Sequence, residues 1–179
     1  MAFPTDTVYG IGVTVYSSES IEKLFIAKGR DAAKAIPVLI GDPSQLAQVT
    51  ASVSDAAYRL AQRFWPGPLT LVVSRHPSLP GILSPVPTVG VRMPNHPVAL
   101  ALLRQSGPLA TTSANLSGGP DPTTAQDVLS QLSGRIDMVL DGGSCLGGVP
   151  STVVDCTASD LRILRPGPLS LEDLKKALG

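Results

Sequence analysis

The strongest constraint on the fold is how the apolar residues are cut up. Short β-branched runs alternate with segments of helical period, and glycine or proline closes nearly every one. Glycine and proline number 17 each in 179 residues, with no triplet repeat, so a collagen-like rod is excluded and a loop-rich globular fold is expected. Strands are predicted over 11–16, 36–40, 69–73, 88–92, 109–112, 136–140, 151–154 and 161–164. Helices are predicted over 18–25, 44–49, 54–64, 97–103, 124–132 and 170–178. Gly29 suits the C-cap of the first helix, and Pro37 puts the second strand at an edge or at a strand start. The proline-rich stretch 75–87 and the glycine-rich stretch 142–148 read as loops. Strands alternating with helices, plus a hairpin-like 151–165 region, define an α/β fold with a mixed sheet.

Charge narrows the function. Lys and Arg total 14 against 14 Asp and Glu, so bulk electrostatic attraction to nucleic acid is not built in, although a local cationic pocket is compatible with neutrality. Cys145 and Cys156 stand apart from each other and from any histidine; they read as buried free thiols, with no metal site. The N-terminus lacks a signal-peptide pattern and no run has the ~20 apolar residues of a membrane helix, so a soluble, cytoplasmic protein is expected.

The common nucleotide and hydrolase motifs are missing: there is no phosphate-binding Gly-x-x-x-x-Gly-Lys loop, no Gly-x-Ser-x-Gly elbow and no His-Glu-x-x-His. His76 and His96 lie beside prolines without an acidic neighbour, which argues against histidine acid–base chemistry. Hydroxyl and cationic residues instead gather at strand ends and helix exits: Thr5-Asp6-Thr7, Lys28-Gly29-Arg30, Thr88 with Arg92 on one strand face, Thr111 to Asn115, Ser151-Thr152 and Arg165. Such groups at the ends of strands suit phosphate and carboxylate oxygens. Each alone is equally an ordinary cap, turn or surface ion pair.

Their order carries more. Pro4-Thr5-Asp6-Thr7-Val8-Tyr9-Gly10, Lys28-Gly29-Arg30, Trp65-Pro66-Gly67-Pro68-Leu69-Thr70, Val91-Arg92-Met93-Pro94, Ser113-Ala114-Asn115, Ser151-Thr152-Val153 and Arg165-Pro166-Gly167 follow one another across nearly the whole chain. The series resembles the YrdC-like family of threonylcarbamoyl-adenylate synthases. That resemblance implies a single YrdC-like domain over 1–179, with a twisted, open mixed sheet around a concave, positively lined pocket. It implies an adenylyltransferase joining L-threonine, bicarbonate and ATP, with Mg²⁺ accompanying the ATP. The product would pass to the proteins that place threonylcarbamoyl on tRNA. Residue by residue, the resemblance implies that Thr7, Arg92, Thr111 and Ser151 hold threonine or its carbamate. It makes Lys28 and Arg30 the catalytic pair, and assigns Arg30, Lys34, Thr88, Ser113, Asn115, Asp121 and Arg165 to the nucleotide.

The chain departs from the family pattern in three ways. Asp31 replaces a frequent proline and brings a negative charge towards the phosphates. Leu39 replaces a polar residue at the threonine site. The sequence also begins almost at its first motif and ends near Gly179, which reads as the short form of the family, expected without the extra C-terminal domain of the longer branch and with a shortened or misassigned start. Two other functions compete: a non-catalytic RNA-binding module, disfavoured by neutral charge and 4% aromatic residues, and a diverged paralogue with another acceptor.

Overall fold

The computed structural model describes residues 1–158 and 160–179. They form a nine-stranded sheet: β1 (Ala2–Phe3), β2 (Gly10–Thr14), β3 (Val38–Leu39), β4 (Thr50–Ser52), β5 (Leu69–Arg75), β6 (Thr88–Arg92), β7 (Leu109–Ser113), β8 (Thr152–Asp155) and β9 (Arg162–Arg165). Their spatial order is β1-β2-β7-β3-β6-β5-β8-β9, with β4 also paired to β5. The pairs β3–β6 and β5–β8 are parallel and the others antiparallel, as expected of a mixed sheet. Five helices connect them, α1 (Ser18–Lys28), α2 (Leu46–Val49), α3 (Asp55–Phe64), α4 (Pro97–Ser106) and α5 (Ala125–Leu132), and α6 (Leu171–Lys176) follows β9.

Local chemistry sets the helix limits. Ser17 caps α1 by accepting the Ser20 N–H, and Gly29 ends it in the left-handed conformation at φ 58°. Thr124 with Asp127, and Ser170 with Asp173, close reciprocal capping boxes at the starts of α5 and α6. Among the described residues no helix is long and apolar enough to cross a membrane.

One expected strand is absent and two short ones are added. Residues 136–140 form no strand; a single bridge joins Val139 to Ala2. Their partner β1 is only two residues long, so the ladder stops after the bonds from Ala2 N to Met138 O and from Leu140 N to Ala2 O. The short strands β1 and β4 had no apolar run to announce them. Pro37 does mark a strand start, but β3 lies in the sheet interior, between β7 and β6.

The alternating side chains of the strands sort the two faces. Val89 and Val91 of β6, Leu69, Leu71 and Val73 of β5, Ile11 of β2 and Ala110 of β7 join the main core with buried residues of α1 and α3. The opposite face presents Gly10, Thr70, Thr88, Gly90, Arg92 and Thr111. Helix α4 covers one part of that face, packing Ala99 and Leu103 on Phe3, Leu39 and Leu109. The remainder lies open as a cleft.

Candidate active site

The cleft has a volume of about 640 Å³, well within the range of ~300–1,000 Å³ usual for small-molecule sites. Its floor is strand backbone left bare by glycine. A Cβ at Gly90 would lie 3.0 Å from Thr70 Cγ2, and one at Gly10 would lie 2.9 Å from Thr111 Cγ2. The ionisable side chains along its wall are Arg30, Arg92, Arg165 and Asp121, three cations to one anion. Neutral charge overall therefore conceals a cationic site.

One end is a buried polar network. The Arg92 guanidinium donates from Nε to Gly67 O at 3.1 Å and from Nη1 to Thr7 Oγ1 at 2.9 Å, and its Nη2 pairs with Asp6 Oδ1. Thr5 Oγ1 spends its only proton on Val8 O at 2.7 Å, so the 3.0 Å contact with Thr7 is donated by Thr7. The chain of donors thus runs from Arg92 through Thr7 and Thr5 to the backbone. Three of the five arginine N–H groups are taken, leaving two for a ligand. Burial pushes the pKa of Arg92 down, and Asp6 pulls it back up.

The other end carries paired cations. Arg165 donates to Ser151 O from Nη2 at 2.9 Å and to Ser151 Oγ at 3.1 Å, while Ser151 Oγ also meets Thr70 Oγ1 at 2.7 Å. Among the described residues Arg30 makes one hydrogen bond, from Nη2 to Ala35 O at 3.0 Å, and its buried Nε meets no partner. Desolvation, and then the like charge of Arg165, lower the pKa of Arg30. Two guanidinium groups on the wall of one cleft, both partly buried, have the charge and donors that suit an anion.

Of the residues singled out from the sequence, Thr7, Arg30, Thr88, Arg92, Thr111, Ser113, Asp121, Ser151 and Arg165 all line this one cleft. Lys28, Lys34 and Asn115 are not among its lining residues. Lys34 is exposed on the segment after α1. Lys28 is only 2% exposed and directs its ammonium at Ser113 O, Asn115 O and, at 3.0 Å, Asn115 Oδ1. It braces the turn from behind, while Ser113 Oγ, donating to Asn115 Oδ1 at 2.7 Å, faces the cleft. Lys28 and Arg30 leave the same helix exit, but on either side of the left-handed Gly29 one is buried and the other lines the cleft. Asp31 is exposed and accepts the Ala33 N–H at 2.9 Å, a turn contact outside the lining. Leu39 does line the cleft, 4% exposed.

The site also differs from the expectation that ligands meet the loops after strand ends. Thr70, Val72, Gly90 and Val153 bring the middles of strands into it. Thr70 and Asp6 lie in the sequence motifs without an assigned role; the alternation of β5 places Thr70 on the open face, whereas the pairing of Asp6 with Arg92 spans 86 residues and has no local signal. Neither His76 nor His96 lines the cleft, and both cysteines are buried and free.

The role of Lys28 can be measured. Burial and the neighbouring Arg30 bring its pKa down to about 8, against a weaker upward pull from Asp121. Lys28→Met leaves buried oxygens without a donor and is expected to cost about 2–3 kcal/mol in urea unfolding. Between pH about 8 and about 10.5 the unfolded lysine holds more proton than the folded one, so wild type gains stability on the variant as pH rises through that window. A gap that shrinks there contradicts this placement of Lys28.

Residues 1–167 match the Sua5/YciO/YrdC family model, described as "Telomere recombination", and the chain belongs to that family. Over its whole length it is 44% identical to the threonylcarbamoyl-AMP synthase of Bacillus subtilis, covering 53% of that protein. It is 43% identical to a putative threonylcarbamoyl-AMP synthase of Mycobacterium tuberculosis, covering all of this chain and 83% of that one. The crystal structure of Pyrococcus abyssi Sua5 complexed with L-threonine superposes with a TM-score of 0.96 at 42% identity, over 99% of this chain and 53% of the other. The chain thus spans about half the length of the B. subtilis and P. abyssi proteins it matches.

Proposed function

We propose that the cleft makes threonylcarbamoyl-AMP and pyrophosphate from L-threonine, bicarbonate and ATP. The observation that carries this reading is that one cleft brings together a hydroxyl-and-arginine pair, Thr7 with Arg92, and two further cations, Arg30 and Arg165. Similarity to a structure holding L-threonine and to proteins named for this synthesis supports it.

The neutral threonine amine combines with bicarbonate to give a carbamate, with loss of water. A carbamate oxygen then attacks the α-phosphorus of ATP; the P–O bond to the β-phosphate breaks and pyrophosphate leaves. Catalysis of this kind is chiefly positioning and charge stabilisation, so the lack of a histidine in the lining is no obstacle. The free N–H groups of Arg92 receive the threonine carboxylate, Thr7, Thr111 and Ser151 contact the amino acid or its carbamate, and Arg30 and Arg165 offset the triphosphate. Ser113 and Thr88 contact the nucleotide, and Val86 and Leu164, both exposed at the rim, give the base an apolar seat. Mg²⁺ enters as part of the MgATP substrate: among the described residues no cluster of three or more His, Cys, Asp or Glu could hold a metal, and Asp121 is the single carboxylate of the lining. The product is a reactive mixed anhydride that a cytoplasmic tRNA-modifying transferase would consume.

The test is pyrophosphate release from ATP and bicarbonate with L-threonine, with L-serine and with no amino acid. Release that depends on threonine is expected. Salt-sensitive RNA binding without turnover would instead favour a binding module, although no aromatic side chain lines the cleft for base stacking.

A further inference from the structure

The glycine-rich segment 141–148 forms no part of the mechanism above, yet it is tied closely to the segment that carries Thr7. Tyr9 is fully buried, and its hydroxyl donates to Gly143 O at 2.7 Å while accepting the Gly142 N–H at 3.3 Å. At the other end of the loop the Gly148 N–H donates to Thr7 O at 2.9 Å. Between them Gly147 lies flat on the backbone: a Cβ there would stand 3.0 Å from Thr7 Cα and would collide with the Asp6 carbonyl oxygen. Gly143 and Gly148 take φ 84° and 59°, the left-handed geometry that lets the loop turn back at both ends. The Cys145 N–H fixes the middle to Thr123 O at 2.8 Å.

We infer that residues 141–148, anchored by the Tyr9 hydroxyl and pressed down at Gly147, are a strap that positions Asp6 and Thr7, and through them Arg92, at the amino-acid end of the cleft. Tyr9 and Gly147 are positioning residues that touch no substrate. The inference rests on the reading of that end as the threonine subsite. The loop reaches Asp6 and Thr7 directly, whereas Arg30 and Arg165 make no hydrogen bond to it. Loosening the strap should therefore weaken threonine and spare ATP.

Two variants test this in the full chain. Tyr9→Phe keeps the buried ring and removes only the hydroxyl; Gly147→Ala forces the strap or the Asp6–Thr7 backbone to move. Misplacement by about 1 Å can cost on the order of 10²-fold, so Gly147→Ala should raise the threonine KM by on the order of tenfold to a hundredfold. Tyr9→Phe should raise it several-fold, and the ATP KM should stay near wild type for both. A role confined to stability would lower Tm and the active fraction with both KM values unmoved, and that result overturns the inference, as does an equal rise for both substrates. If Gly147→Ala does not fold, Tyr9→Phe decides alone. A wild type without threonine-dependent pyrophosphate release overturns the functional reading itself; a working wild type with an unmoved threonine KM in Tyr9→Phe overturns only the strap.

Discussion

Arg30→Ala is expected to slow pyrophosphate release by a factor on the order of 10²–10³, the usual loss when a preorganised charge that stabilises a transition state is removed. The effect should fall on chemistry rather than on folding. Arg30 contributes one hydrogen bond to the resting fold, to Ala35 O, and its buried Nε bonds to nothing. It also lies under the repulsive influence of Arg165. Its removal thus costs little contact and relieves some like-charge strain, so unfolding free energy should stay within about 0.5 kcal/mol of wild type. A coupled pyrophosphate assay beside a thermal melt separates the two effects. Turnover within a few-fold of wild type would remove Arg30 from the reaction; a large loss of Tm would make it a structural residue.

Arg92→Met should behave in the opposite way. Arg92 and Asp6 have side chains only 8% and 14% exposed and pair directly, and Asp6 Oδ1 also accepts the Asn95 N–H at 3.1 Å. Taking away the guanidinium leaves a largely buried carboxylate with the Asn95 N–H as its remaining partner, which should cost about 3 kcal/mol, at the lower end for a broken buried pair because Asp6 still touches solvent. Adding Asp6→Asn should recover part of that loss, since the amide removes the unpaired charge and keeps an oxygen for the Asn95 N–H. Neither variant should bind threonine measurably. Urea unfolding of wild type, the single variant and the double variant supplies the comparison. No recovery in the double variant would mean that the destabilisation comes from lost packing around Arg92, not from an orphaned charge.

These two arginines also show what could and could not be read from the chain. Strand β6 was legible to the residue: Thr88-Val89-Gly90-Val91-Arg92 alternates, and the structure puts Thr88, Gly90 and Arg92 on the cleft side with the valines in the core. The partners of Arg92 were not legible, because Asp6 and Thr7 meet it across 86 and 85 residues and only the sheet order brings them together. Lys28 shows a different limit. Its helix and its glycine cap were clear, but the direction of the side chain depends on where the Ser113–Asn115 turn comes to rest. Residues 136–140 have a strand's apolar pattern and lack only a partner long enough to make a ladder. Periodicity therefore located most of the elements, while contacts between distant segments decided which cations line the cleft.

The most direct measurement is mass spectrometry of the nucleotide product formed from ATP, L-threonine and ¹³C-labelled bicarbonate. The account predicts an adenylate containing both threonine and one labelled carbon, formed in step with pyrophosphate and absent when threonine is withheld. An adenylate of threonine that carries no label, or pyrophosphate released with no threonine-containing product, would contradict it.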